Sequence, residues 1–341
     1  MNRKDNKTEQ PDAASAGIAS VWVLSDGKAG DEAQCIGVAE ELGAPFEVRR
    51  VSPRKPYSWI MPRGPIDPRE GADRPGSPLA PPFPDIVIAS GRRTVAYLRH
   101  IRKASGGRTF TVFLKDPRTG TRAADFIWVA KHDELRGPNV MVTVTGPHRI
   151  SKTKLDNARK APLADIAALP SPRVAVLAGG DSRHHRFSPD DIQRFIAGLK
   201  TWADNDASLM ITSSRRTSEA LAEGLRALAA GGHHLFFDGK GENPLIQYLA
   251  NADAIVVTAD STNMIGEAAA TGRPVHVFHP GGGHAKINRF LSEMSAIGVV
   301  HPFPGALKTT TYEPVNSTSR IAQAIISAFA ARRGEADRTE P

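Results

Sequence analysis

The chain has 341 residues, 40% hydrophobic and 23% charged, an ordinary balance for a globular protein with room for two domains of roughly 150 residues each. Lys plus Arg number 44 against 36 Asp plus Glu, a formal charge of +8. That surplus sits in short Arg pairs instead of long basic tracts, which favours a small anionic ligand or an anionic membrane surface over a duplex, and no nucleic-acid partner is expected.

Residues 1–17 are polar, with no apolar core of a secretory signal, and read as a disordered tail of a cytoplasmic protein. Cys35 is the single cysteine, so no disulfide can form within the chain. No apolar run approaches the ~18 residues that span a bilayer, which leaves the protein soluble or peripheral at the inner face of a membrane.

Residues 21–24 form the first apolar run, followed by Ser25-Asp26-Gly27-Lys28-Ala29-Gly30 and a helix that closes at Gly43. This is strand, glycine loop, helix; the loop matches neither a P-loop nor a dinucleotide fingerprint, so Lys28 is a weak anion signal. A second strand over 46–51 precedes residues 52–84, which hold ten prolines and little periodicity and are expected as an irregular lid. Strands follow over 86–89, 109–114, 125–130 and 139–144, with Ser90-Gly91-Arg92-Arg93-Thr94 opening a helix after the first of them. Six strands alternating mostly with helices predict a parallel, doubly wound sheet whose ligands lie beyond the C-terminal strand ends.

Residues 151–172 are charged, then alanine-rich, then proline-bounded, and read as a linker. The scheme then restarts: a strand over 173–177, the turn Gly179-Gly180-Asp181-Ser182, a helix over 190–203, a strand over 209–212, and Ser213-Ser214-Arg215-Arg216-Thr217 before another helix. The two Ser-x-Arg-Arg-Thr segments occupy equivalent places, so Arg92, Arg93, Arg215 and Arg216, with Ser213, are candidates for gripping phosphate through bidentate hydrogen bonds. Strand 233–237 leads through a loop and a short helix to residues 254–278, the densest signal in the chain.

There, a β-branched apolar run ends at Asp260-Ser261-Thr262-Asn263, a small-residue helix follows, Gly272 closes it, and a second buried strand begins at Pro274. A helix start rich in hydroxyls and free N–H groups suits phosphate, and Glu267, one turn below Asn263, is placed to hold a ribose diol. A helix over 286–296 and an amphipathic one over 321–332 complete the chain. The adjacent histidines point apart and no HExxH occurs, so no metal is expected; a Ser/His/Asp triad lacks its GxSxG.

Two Rossmann-like halves with a glycine turn, a hydroxyl-rich helix start and a downstream Glu resemble the GT-B glycosyltransferase architecture, two doubly wound α/β domains facing across a cleft. More specifically, LSDGKAGDEAQCIGVAEELG, PDIVIASGRRT, KHDELRGPNVMVT, ITSSRRT and VTADSTNMIGEAAATGRPVHVF resemble the mitochondrial fission Elm-type family over about residues 20–330. The GT-B likeness implies Ser261, Thr262 and Asn263 at a diphosphate, Glu267 at the ribose, and Gly179, Gly180 and Ser182 in the turn between domains. It also implies a nucleotide-diphosphate sugar as donor substrate, with no cofactor required. The Elm-type likeness implies the alternative, a non-catalytic adaptor that binds a protein partner or a membrane surface.

A transferase needs a base for its acceptor hydroxyl. Asp26 and Asp116 follow strands of the first half and are favoured over His132, and the residues do not choose between them. Lys28, Arg92 and Arg93 would meet an acceptor or anion, such as a cell-envelope precursor. The expected organisation is a tail over 1–17, a first domain over 18–150 with its insertion at 52–84, a linker over 151–172, a nucleotide-binding domain over 173–316, and a terminal helix over 317–333 packing back on the junction.

Overall fold

A computed structural model describes residues 12–339. The chain folds into two compact units: unit 1 is built from the residues up to 149 together with those from 317 onward, and unit 2 from residues 150–316. Of the expected tail, residues 1–11 lie outside the described residues; residues 12–17 form a turn held by Asp12, whose carboxylate accepts the Ser15 amide at 2.7 Å, and Ala13 is buried in the core of the first unit.

In unit 1, β1 (Val21–Ser25) leads through α1 (Ala29–Leu42) to β2 (Phe46–Arg50). Gly43 takes the left-handed conformation that ends α1, at φ +76°. After the short α2 (Tyr57–Ile60) come β3 (Ile86–Ala89), α3 (Thr94–Ala104), β4 (Phe110–Leu114), β5 (Phe126–Ala130) and β6 (Val140–Thr143). The six strands are all parallel, in the order β2-β1-β3-β4-β5-β6. Their apolar runs lack alternation because both faces are covered: Val21 and Val23 point into one core while Trp22 and Leu24 point into the other. The order reverses between β1 and β3, the place where open α/β sheets receive ligands.

The proline-rich segment 52–84 is packed instead of loose. Met61 and Leu79 are buried in the core beside α3. Arg54 grips Asp67 through two hydrogen bonds of 2.7 Å, which hold that carboxyl well below the usual range. Arg49 donates to the Ala80 carbonyl at 2.7 Å. Polar composition and prolines suggested a lid; the fixed φ of proline and these arginine clamps make an ordered wall.

Unit 2 opens where a linker was expected. Ser151 caps α4 (Lys152–Lys160), α5 (Ala164–Ala167) follows, and Leu155 and Ile166 are buried. Next come β7 (Arg173–Ala178), the two-residue β8 (His185–Arg186), α6 (Pro189–Ala203) with a Ser188/Asp191 capping box, β9 (Ser208–Ser213) and α7 (Glu219–Ala229). They are followed by β10 (Leu235–Phe237), α8 (Leu245–Asn251), β11 (Ala254–Thr258), α9 (Thr262–Ala269) and β12 (Val275–Phe278). The unit ends with β13 (Gly281–Gly282), α10 (Ala285–Ala296) and β14 (Val300–Phe303). The linker reading fails because α4 is fastened to α8: Arg159 donates to the Ala250 carbonyl at 3.0 Å. This second sheet is parallel in the order β10-β9-β7-β11-β12-β14, reversing between β7 and β11, while β8 and β13 form a small antiparallel pair. Strand β14 has no counterpart among the expected elements; it contains Pro302, which is tolerated because β14 is an edge strand.

The last helix, α11 (Ser317–Thr339), belongs to unit 1. Ile321, Ile325 and Phe329 fill the core beside α1, and the Phe329 ring meets Phe110 edge-on at 5.8 Å.

Candidate functional site

In unit 2 the reversal of strand order brings three loops together: Gly179-Gly180 after β7, Ser214 to Thr217 after β9, and Ala259-Asp260-Ser261 after β11. Asp260 is the hub. Its side chain is fully enclosed, accepts from Thr258 Oγ1 at 2.6 Å and from the Gly180 amide at 3.3 Å, and pairs with Arg216 Nη2 at 2.6 Å. The glycines are steric necessities. A Cβ on Gly179 would lie 2.1 Å from Asp260 Oδ1, and one on Gly180 would lie 1.8 Å from the Arg216 carbonyl oxygen. Thr217 completes the knot by donating to the Gly179 carbonyl at 2.6 Å.

This geometry divides the arginine pair. Arg216, expected at a phosphate, is bound to Asp260 and to the carbonyl of Asp181 at 3.2 Å. Arg215 is exposed and makes no ion pair with a described residue. Ser213 ends β9, half-buried. Ser182 is a turn residue whose hydroxyl accepts the amides of His184 and His185 at 3.3 and 3.1 Å. Ser261 is the N-cap of α9, its hydroxyl accepting the Met264 amide at 3.4 Å, and Thr262 and Asn263 start the helix, half-buried. The amides of that first turn point out of the helix end, where the dipole favours negative charge.

Glu267 lies on the second turn of α9, half-buried, with no hydrogen bond or ion pair from a described residue to its carboxyl, and burial pushes it up to about 7. With no cation of a described residue beside it to favour the ionised form, desolvation alone sets the direction of that shift. His185, also buried, has no partner for Nδ1 among the described residues; burial holds it below the usual imidazole range against the pull of Asp260.

In unit 1 the corresponding reversal gathers Asp26 after β1, Gly91 after β3, and Lys115 after β4. The Asp26 side chain is fully enclosed and neither oxygen has an aligned hydrogen-bond donor among the described residues, although Lys28 Nζ lies 3.2 Å from Oδ2. Lys28 is therefore a counter-ion to Asp26 in place of a free anion contact. Gly91, at φ +95°, leaves a space whose missing Cβ would lie 3.2 Å from Asp31 Oδ2 and 3.4 Å from Asp26 Oδ1. Lys115 pairs with Asp31 and holds φ +120°, a strained value for a residue with a side chain.

Asp116, the other candidate base, is exposed and accepts the Arg118 amide at 2.8 Å, which is a turn-closing role. Arg92 is not free for an anion: its guanidinium donates to the carbonyls of Ser58 at 2.8 Å, Trp59 at 3.3 Å and Met61. Arg93 is half-buried, without an ion pair to a described residue. The sequence offers Asp260 only as a capping residue and gives no sign of Asp31 or Lys115, since each pairing joins loops far apart in sequence. Among the described residues no group of three or more His, Cys, Asp or Glu is placed to hold a metal ion, and no helix is long and apolar enough to cross a membrane.

Two parallel, doubly wound Rossmann-like units, each with its polar loops gathered at the strand-order reversal, define a GT-B-like α/β protein. Consistent with this, the UDP-GlcNAc 2-epimerase of Methanocaldococcus jannaschii superposes with a TM-score of 0.53 at 11% identity, covering 91% of this chain and 99% of that one. The family described as Mitochondrial fission ELM1 matches residues 29–329, and the chain belongs to that family. The Mitochondrial fission protein ELM1 of Arabidopsis thaliana is 30% identical over 278 residues, which span 73% of this chain and 65% of the plant protein. A Rickettsia prowazekii protein, described as uncharacterized, is 23% identical over 347 residues, 90% of this chain and 97% of its own length.

Proposed function

We propose that unit 2 binds a nucleotide-diphosphate sugar and that the protein is a glycosyltransferase of the cytoplasm, acting on a cell-envelope or other small acceptor, with no further cofactor. The observation that carries this reading is Glu267: a carboxyl without a hydrogen-bond partner among the described residues, raised to about 7, one turn below the N-terminus of α9. In the proposal the diphosphate lies against Ser261, Thr262 and Asn263, Arg215 supplies a mobile cation, and Glu267 accepts from the ribose hydroxyls. Gly179 and Gly180 keep the neighbouring loop close without side chains in the way. Arg216 and Ser182 act by holding the loops.

For the acceptor, unit 1 offers Asp26 as the base, because its enclosed carboxylate lacks aligned donors among the described residues, whereas Asp116 is committed to a turn. Arg93 would meet an anionic group of the acceptor, while Lys28 stays beside Asp26 as its counter-ion. A non-catalytic adaptor role is the second reading, favoured by the description of the Arabidopsis relative. Thermal unfolding with UDP, GDP and ADP sugars separates them, since ligand at 100 times its dissociation constant adds about 2.7 kcal/mol of stability. Absence of a shift with every nucleotide would remove the donor site and leave the adaptor.

A further inference from the structure

Within the proline-rich wall of unit 1, α2 turns two large apolar side chains outward side by side: Trp59 is 65% exposed and Ile60 50%. Both stand on a rigid base. Arg92 ties down the carbonyls of Ser58, Trp59 and Met61, and Arg99 Nη2 donates to the next three, those of Pro62 at 2.6 Å, Arg63 at 3.2 Å and Gly64 at 3.3 Å. Gly64 makes room for the isoleucine, since a Cβ there would lie 2.4 Å from Ile60 Cγ1. Two arginines spent on six backbone carbonyls hold in place a tip that leaves most of its own apolar surface outside the fold.

The charged side chains of the segment that carries this tip are all basic, and the two acids bonded to it, Asp67 and Glu70, hold Arg54 and the Ser52 amide at its start. Residues 52–66 include Arg54, Lys55 and Arg63 and no acid. Arg54 is occupied by Asp67, which leaves Lys55, with Nζ 5.5 Å from the Trp59 ring centroid, and the exposed Arg63 as cations beside the apolar pair. A stable protein interface asks for roughly 800 Å² from each partner, far more than two side chains offer. An indole and an aliphatic side chain flanked by Lys and Arg suit the boundary between acyl chains and anionic headgroups, where the rings insert and the cations meet phosphate.

We propose that Trp59 and Ile60, with Lys55 and Arg63, form a tip that docks the protein on an anionic lipid surface. The contact is peripheral and salt-sensitive, and it is independent of the nucleotide site in unit 2.

The other three tryptophans, Trp22, Trp128 and Trp202, are buried, so a change in emission on binding reports on Trp59. The full chain is to be mixed with vesicles of phosphatidylcholine containing roughly a third phosphatidylglycerol, and with phosphatidylcholine alone, and read by co-sedimentation and tryptophan emission. Binding to the anionic vesicles with a blue shift, weakened by salt, is expected. Trp59→Ala should lower the partition roughly tenfold with an unchanged melting temperature, and Lys55→Gln with Arg63→Gln should remove most of the salt dependence. Wild-type protein that fails to bind anionic vesicles at low salt, or folded Trp59→Ala that binds as well as wild type, overturns the proposal. The nucleotide melting screen is unaffected by either result.

Discussion

Replacing Glu267 by Gln should make the ligand-free protein more stable and the nucleotide complex weaker. Burial raises this carboxyl from 4.5 in the unfolded chain to about 7 in the fold. Between those values the folded state holds a proton that the unfolded state has lost, so stability falls as pH rises through that window. At about 1.4 kcal/mol per pH unit the full loss is about 3 kcal/mol, reached above pH 7 and absent below pH 4.5. Glutamine keeps the shape and never ionises. Denaturant unfolding should therefore find Glu267→Gln more stable by about 2–3 kcal/mol at pH 8 and equal to wild type at pH 4.5. Nucleotide binding has the opposite dependence: a ribose diol that donates to the carboxylate favours its ionised form, so wild-type affinity should rise from pH 6 to pH 8. The variant should bind about 1.5–3 kcal/mol more weakly at pH 8 and show little of that rise. A variant that is destabilised at pH 8, or whose stability difference is the same at both pH values, would refute the claim that desolvation governs this group.

Gly180→Ala places a methyl 1.8 Å from the backbone oxygen of Arg216, which no rotamer relieves, and should cost roughly 3 kcal/mol or more in thermal unfolding. The two arginines of the second pair should separate cleanly: Arg216→Met strands the enclosed Asp260 and lowers stability by about 2 kcal/mol, discounted because Arg216 is half exposed, whereas Arg215→Met leaves stability unchanged and weakens nucleotide binding in titration calorimetry. Arg92→Ala releases three carbonyls of the wall beside α3, and limited proteolysis should then cut within residues 52–84 of a segment that resists in wild type; equal resistance would deny that Arg92 is its clamp.

Much of the fold is legible in the sequence because parallel strands buried on both faces leave unbroken apolar runs, as Ile86–Ala89 and Ala254–Thr258 do, and glycine or hydroxyl residues mark the turn after each. What escapes is governed by distant partners. Residues 151–172 look like a linker by polarity, yet Leu155 and Ile166 are enough to bury one side of α4 and α5. Strand β14 is disguised by Pro302, which only an edge position permits. In the site, the glycine turn after β7 and the helix start at Ser261 can be read locally. Asp260 reads as one more capping residue until Arg216, 44 positions earlier, is seen against it, and Asp31 gains meaning only beside Lys115. Arg92 and Arg216 look like phosphate ligands because nothing in a sequence shows that a cation is already satisfied.

The placement of α11 bears on how the chain is made. One face of the first sheet is closed by Ile321, Ile325 and Phe329, which leave the ribosome after all 167 residues of unit 2, numbered 150–316. At 5–20 residues per second that interval lasts on the order of ten to thirty seconds, during which α1 covers β1 and β3 but the part of the face around Phe110 and Phe126 lacks its helix. Unit 2, continuous in sequence, can fold first although it is made second. Unit 1 must wait for its last helix, and a nascent chain paused within unit 2 is the form of this protein most in need of a chaperone.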